Sequence, residues 1–171
     1  TLPPLIPAPI LITGHANADF DCLAAIVAAS KLYDNAVLVF PGSQEANLRN
    51  FFIESATYLF NFKDAKDIDY STVKTLVVVD TRRRDRISHV APALENADLE
   101  IHLYDHHPDS EDDLPATLSV VKPWGSATSI ITLLIKEKGL SITPEEATML
   151  GLGIYEDTGS FSFNSTTEHD F

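Results

Sequence analysis

The stretch Ile10-Leu11-Ile12-Thr13-Gly14-His15-Ala16-Asn17-Ala18-Asp19-Phe20-Asp21 decides how this chain folds. It opens on a continuous apolar run rather than an alternating one, the pattern of a strand covered on both faces. Residues 20–33 are apolar nearly all round and rich in alanine, which reads as a closely packed, buried helix. Between the two stand one imidazole, His15, and two carboxylates, Asp19 and Asp21. A strand that turns into a helix here can fan these side chains around one point, with backbone N–H groups left for an anion.

The same design recurs downstream. Leu76-Val77-Val78-Val79 stops at Asp80, and Ile101-His102-Leu103-Tyr104 stops at Asp105-His106-His107. Thr143-Pro144-Glu145-Glu146 combines a capping box with proline at the first helical position, so a helix starts there and carries the chain toward Asp157. In an open α/β sheet, ligands bind beyond the carboxyl ends of the strands. Carboxylates mixed with imidazole suit manganese, zinc or iron, and the pattern reads as a metal site with two ions.

Each residue alone has a plainer reading. Asp19 fits a helix cap, His15 a core histidine, and Asp80 a strand-ending carboxylate bonded to turn amides. Their convergence favours metal ligation, with Asp80 as a carboxylate between two ions. Two adjacent histidines at a strand end point in different directions, so one of His106 and His107 can bind metal while the other faces substrate. Asp105 can hold a histidine in one tautomer.

The remaining elements alternate strand and helix. Residues 36–40 form a strand closed by Pro41-Gly42, residues 44–60 an amphipathic helix, and residues 75–79, 100–104 and 118–121 further strands. Ser126 caps a helix that runs to Lys138 and stops at Gly139. Residues 108–116 make a polar, acidic loop directly after the candidate site.

At 171 residues the chain is long enough for one sizeable core. No apolar run approaches the ~20 residues of a membrane helix, and the first residues lack the features of a signal peptide. The single cysteine, Cys22, fits a reducing cytoplasm and reads as a buried small hydrophobe. A net charge of −13 argues against the whole domain being a nucleic-acid-binding surface.

No GxxxxGK[ST] loop is present, and the Gly151-Leu152-Gly153 run lacks the third glycine and the preceding strand of a dinucleotide fingerprint. His102 reads as structural, and His89 and His169 as surface residues. The basic run Arg82-Arg83-Arg84-Asp85-Arg86 suits either a phosphate-bearing substrate or a solvated turn. Ser165-Thr166-Thr167-Glu168 is a helix-start pattern with little chain after it, which suggests a fragment of a longer protein.

The order His-x3-Asp-x-Asp, strand-end Asp, Asp-His-His and late Asp-Thr-Gly resembles the DHH phosphoesterase superfamily. Gly14 to Asp21, Val39-Phe40-Pro41-Gly42-Ser43-Gln44, Asp105-His106-His107-Pro108 and Gly153 to Phe161 are similar to the N-terminal DHH domain of bacterial proteins that join CBS domains to a poly(A) polymerase/tRNA nucleotidyltransferase module. The resemblance implies an α/β fold with a doubly wound, mainly parallel five-stranded sheet and helices on both faces. It implies that residues 1–171 form one DHH metal-binding domain, and it leaves the family's C-terminal substrate domain unrepresented.

It also implies two Mn2+ ions, with Mg2+ or Co2+ as substitutes. His15 and Asp19 would bind one ion and Asp21 the other, with Asp80 bridging and His106 and Asp157 completing the second. His107 would face the phosphate and Asp105 would support the histidines, with Arg82, Arg83 and Arg84 toward the substrate. The implied activity is two-metal hydrolysis of phosphoesters in RNA ends or small nucleotides, within a cytoplasmic RNA-processing protein whose partners are its own downstream domains or a second copy. Inorganic pyrophosphatase or exopolyphosphatase activity is the alternative within the enzyme class. A non-catalytic domain that senses a nucleotide is the alternative outside it.

Overall fold

The computed structural model describes residues 2–40 and 48–157, with side chains at 2–40 and 54–155. Five parallel strands form the main sheet: β1 (Ile10–Thr13), β2 (Val37–Leu38), β3 (Thr75–Val79), β4 (Glu100–Asp105) and β5 (Leu118–Val121). Four α-helices connect or follow them: α1 (Phe20–Ser30), α2 (Leu48–Leu59), α3 (Ala127–Glu137) and α4 (Pro144–Asp157). The strand order is β2-β1-β3-β4-β5. The chain therefore winds one way from β1 to β2 and the other way from β3 onward, as a doubly wound sheet does.

Right-handed crossovers then place the connections on opposite faces. Ile12, Val77, Val79 and Tyr104 face α1, α3 and α4. Leu11, Leu76, Val78, Ile101 and Leu103 face Ile87, Val90 and Ala93, together with Ala8, Ile68, Val73 and Leu114. The helices on this second face are 3-10 turns, Arg84–Arg86 and Ser88–Glu95, rather than α-helices. Pro92 lies inside the longer turn, where it removes a backbone donor and blocks an α-helical continuation. With both faces covered, β1 and β3 need apolar side chains in both directions, which is why their sequences do not alternate. Each fully buried aliphatic side chain contributes roughly 1.5–3 kcal/mol.

Several boundaries match the sequence reading and others move. β3 and β5 fall at the expected residues. β2 is shorter than residues 36–40 because it is an edge strand, although Val39 N–H still donates to Ile12 O and Val39 bridges to Lys63. Of the expected helix at 44–60, residues 44–47 lie outside the described residues, as do Pro41-Gly42, Ser165 to Glu168 and His169. Ser126 caps α3 by accepting from Ser129 N–H, and Gly139 follows the helix at φ +65°. Thr143 and Glu146 form the reciprocal capping box at α4, at 3.1 and 2.8 Å. A two-residue parallel pair, Ile6–Pro7 with Ile68–Asp69, was not legible in the sequence. Among the described residues, no helix is long and apolar enough to cross a membrane.

Candidate metal centre

β1 and β3 are neighbours at the point where the winding reverses, and the ends of both open into the same crevice. β1 delivers His15, and the following turn delivers Asp19 and Asp21. Asp19 caps α1 by accepting from Cys22 N–H at 3.0 Å. Asp21 sits in the first turn of α1 and is buried, with Thr128 Oγ1 of α3 at 3.5 Å. β3 delivers Asp80, whose φ is +63°. Asp tolerates this left-handed conformation better than bulkier residues. The Asp80 N–H still donates to Tyr104 O at 2.9 Å, so the backbone stays fixed to β4 where its direction changes. β4 ends at Asp105 and leads directly into His106 and His107.

Asp80 is the hub. Its Oδ2 lies 3.2 Å from His15 Nε2 and its Oδ1 lies 3.1 Å from His106 Nε2. Ligand atoms of Asp19, Asp21 and Asp80 lie within 4.8 Å of one another, as do those of Asp80, Asp105, His106 and His107, and those of His15, Cys22 and Asp80. Asp80 alone belongs to all three groups. Burial by itself would raise the Asp80 carboxyl, but the two imidazoles outweigh it and hold the group well below the usual carboxylate range. Burial lowers His15, and Asp80 more than offsets that, so His15 is raised. Burial, with help from the nearby carboxylates, pushes the Cys22 thiol well up, so Cys22 stays a neutral, buried group.

The outer nitrogens set the tautomers. His15 Nδ1 lies 3.1 Å from Ala16 O, and His106 Nδ1 lies 3.0 Å from Trp124 O. A carbonyl only accepts, so each Nδ1 carries a proton; each Nε2 then donates to the Asp80 carboxylate when the ring is protonated and offers a lone pair to a cation when it is neutral. Both imidazoles thus present Nε2 to the same buried carboxylate at about 3 Å, with Asp19 and Asp21 close by. The donor set of imidazole nitrogens and carboxylate oxygens fits a divalent metal.

His107 has a different environment. It is 53% exposed, and its Nδ1 lies 2.6 Å from Asp105 Oδ1. Asp105 is buried and its other oxygen accepts from Arg82 Nε at 3.0 Å. Burial raises the Asp105 carboxyl, and His107 and Arg82 reverse this, so the group is lowered.

The arginine run separates into different roles. Arg82 is buried, and its guanidinium also donates to Asp109 Oδ1 at 2.8 Å and to His107 O at 2.6 Å. Arg82 lines the cleft, with its donors engaged by the segment that carries the histidines. Arg83 is exposed and paired with Asp85 at 3.0 and 2.9 Å. Arg84 is exposed and is not among the residues that line the cleft. The cleft has a volume of about 350 Å3, and His15, Asp80, Arg83, Arg86 and His107 are among its lining residues.

Asp157 ends α4, and its side chain lies outside the described residues. The path of the helix is nevertheless fixed. Lys31, just after α1, pairs with Glu146 near the start of α4 at 3.2 Å, while Gly153 lies over Ala24 and Asp21. The two helices are antiparallel, so α4 runs toward the end of α1 that carries Asp19 and Asp21. A Cβ at Gly153 would sit 2.4 Å from Ala24 Cβ, and only glycine permits that approach.

Sequence reading missed several partners. Trp124 supplies only its carbonyl, for which no side-chain signal exists. Thr128 was detectable as one of a run of polar residues at the start of α3. His89, read as a surface residue, is half-buried: its Nε2 lies 2.9 Å from Thr13 Oγ1 at the end of β1, and its Nδ1 is buried without a hydrogen-bond partner. His102 contacts Tyr33 OH through Nδ1 at 2.6 Å, on the helical face of the sheet.

Comparison with known proteins is consistent with this geometry. A family profile described as "DHH family, N-terminal domain" matches residues 9–154. The A-adding tRNA nucleotidyltransferase of Geobacter sulfurreducens is 45% identical over 161 residues, covering 94% of this chain and 18% of that protein. A protein of Streptococcus mutans named as a probable bifunctional oligoribonuclease and PAP phosphatase is 30% identical, covering 95% of this chain and 49% of that one. The chain thus spans less than half the length of either relative. A Methanococcus jannaschii crystal structure, named for family II inorganic pyrophosphatases, shares the fold with a TM-score of 0.67 and 24% identity, covering 93% of this chain and 52% of that chain.

Proposed function

The chain belongs to the DHH family, and on that premise we propose that it is a metal-dependent phosphoesterase domain that holds two manganese ions and hydrolyses phosphoesters of RNA ends or small nucleotides. The observation that carries this reading is Asp80 between the Nε2 atoms of His15 and His106, at 3.2 and 3.1 Å, with Asp19 and Asp21 in the same cluster. His15 and Asp19 would hold one ion, Asp21, His106 and Asp157 the other, with Asp80 shared. Magnesium or cobalt would substitute. Bound there, the ions would supply Lewis-acid polarisation of the phosphoryl oxygens and acidify a water.

The chain's own groups do the rest. His107 is the general acid: its Nδ1–H donates to the Asp105 carboxylate, which holds the ring so that a proton on Nε2 passes to the leaving oxygen, and the neutral ring remains. Arg82 fixes Asp105 and the His107 carbonyl together, so the ring orientation does not depend on substrate. The strongly negative charge of the domain, −13, fits a small substrate or chain end better than a long polyanionic strand, as does a cleft at the small end of the ~300–1,000 Å3 range of ligand sites. The names of the relatives support a place in a longer RNA-processing protein, which we place in the cytoplasm with its downstream domains helping to capture substrate.

The test is release of phosphate or nucleotide by the manganese-loaded protein from short RNAs, nucleotides, pyrophosphate and polyphosphate. Turnover of RNA ends or nucleotides that disappears in Asp80→Asn supports the proposal. Turnover confined to pyrophosphate or polyphosphate moves the activity to the alternative class. Metal uptake without any turnover makes the domain a sensor.

A further inference from the structure

We propose that His89 is a positioning residue of the metal centre: through Thr13 it fixes the end of β1 from which His15 enters the site. The inference rests on the phosphoesterase reading above and adds to it a residue outside the ligand motifs.

Thr13 is the last residue of β1 and is fully buried. Only Gly14 separates it from His15. The Thr13 hydroxyl donates to Val39 O, just after β2, at 2.9 Å. A hydroxyl has one proton, so the 2.9 Å contact between Thr13 Oγ1 and His89 Nε2 is donated by the ring. Burial, with the charge of His15 added, pushes the His89 pKa down and keeps the ring neutral, so this N–H is the one donor it offers. Three segments thus meet at one oxygen: β1, the end of β2 and the 3-10 turn Ser88–Glu95.

The same stretch of chain holds the loop a second time. Three residues before His89, the Arg86 carbonyl accepts from Ala16 N–H at 2.7 Å. The β1–α1 connection is therefore fastened at Thr13 and at Ala16, and His15 lies between the two ties. From the α1 side Gly14 is packed so closely that a Cβ there would collide with Cys22 Sγ. The other ring nitrogen of His89, Nδ1, is buried and has no hydrogen-bond partner among the described residues. Such a group is costly, and an apolar side chain would not carry it. What the imidazole adds over an apolar side chain is the donor to Thr13. A ligand constellation works only when held within about 0.5 Å of its productive geometry, so a brace on the backbone beside His15 acts on metal affinity.

Titration calorimetry with manganese on chelator-treated protein tests this, with thermal melting of each variant alongside. His89→Leu removes the donor and should weaken manganese binding by about tenfold, the low end for loss of an outer partner at a metal site. His89→Gln can still donate to Thr13 and should recover most of that affinity. Thr13→Val removes the oxygen and should cost as much as His89→Leu, while Thr13→Ser keeps the oxygen and should stay near the wild type. The double variant, His89→Leu with Thr13→Val, should lose no more than either alone, because both break the same contact. His102→Leu, which breaks the 2.6 Å contact to Tyr33 on the helical face of the sheet, should melt earlier with its manganese affinity unchanged. Wild-type affinity in His89→Leu, no recovery in His89→Gln, additive losses in the double variant, or an equal loss in His102→Leu would each overturn the positioning role and leave the phosphoesterase reading standing. If His89→Leu does not fold, the Thr13 variants decide: equal affinities in Thr13→Val and Thr13→Ser overturn the role. A wild type that takes up no manganese would remove the phosphoesterase reading and the positioning role with it.

Discussion

Arg82 Nε lies 3.0 Å from Asp105 Oδ2, and both groups are buried. An arginine that looks available in the sequence is thus a strut beneath the histidine pair. Arg82→Ala removes the cation and leaves the buried Asp105 carboxylate with His107 and the His106 backbone as partners. The expected cost is roughly 3–5 kcal/mol, as for breaking a buried pair from one side. Arg82→Lys should recover only part of this, since one ammonium cannot reproduce the fork that reaches Asp105, Asp109 and the His107 carbonyl. Urea unfolding measures it. A loss below about 1 kcal/mol for the alanine variant would mean the strut is not structural.

His107→Ala should lower turnover by ~100-fold or more, the usual range for loss of a general acid. Manganese content should survive, because His15 and His106, not His107, flank Asp80. Parallel elemental analysis and rate measurement check this. Joint loss of metal and rate would place His107 among the ligands.

Gly153→Ala drives a Cβ to 2.4 Å from Ala24 Cβ. α4 must move off α1, at a cost of about 1–3 kcal/mol typical of overpacking. The shift also carries the end of α4, and Asp157 with it, away from Asp21. Stability and manganese affinity should fall together. Unchanged affinity in a destabilised variant would detach α4 from the site.

How much of this could be read in advance depended on whether the signal was local. β3 was legible because Leu76 to Val79 is buried on both faces, and the ends of three strands were marked by carboxylate or imidazole. β2 was harder, since an edge strand has only one neighbour to define its length. The 3-10 turns at 84–95 lack a helical apolar repeat and hold Pro92. The role of Arg82 is set by Asp105 and Asp109, more than twenty residues away in sequence, and His89 by Thr13 from the other end of the domain. Such tertiary partners leave no trace in residue spacing.

His89 gives the pH prediction. Burial, together with the charge of His15, pushes its pKa from 6.5 down to about 4. The folded protein keeps the ring neutral while the unfolded chain takes a proton, so the unfolded state binds more protons in this window. Stability contributed by His89 is fully present above about pH 6.5 and is lost as pH falls toward 4. In His89→Gln, which can still donate to Thr13, the urea midpoint should vary less between pH 6.5 and 4. Identical slopes in the two proteins would show that His89 titrates normally.

Manganese stoichiometry tests the proposed dinuclear centre most directly. Chelator-treated protein reloaded with manganese, then washed and analysed for metal per chain, should hold two equivalents. Asp80→Asn, which removes one negative charge from the residue shared by all three ligand groups, should hold fewer than one. Fewer than one equivalent in the wild type, or two retained in Asp80→Asn, would contradict a dinuclear site bridged by Asp80.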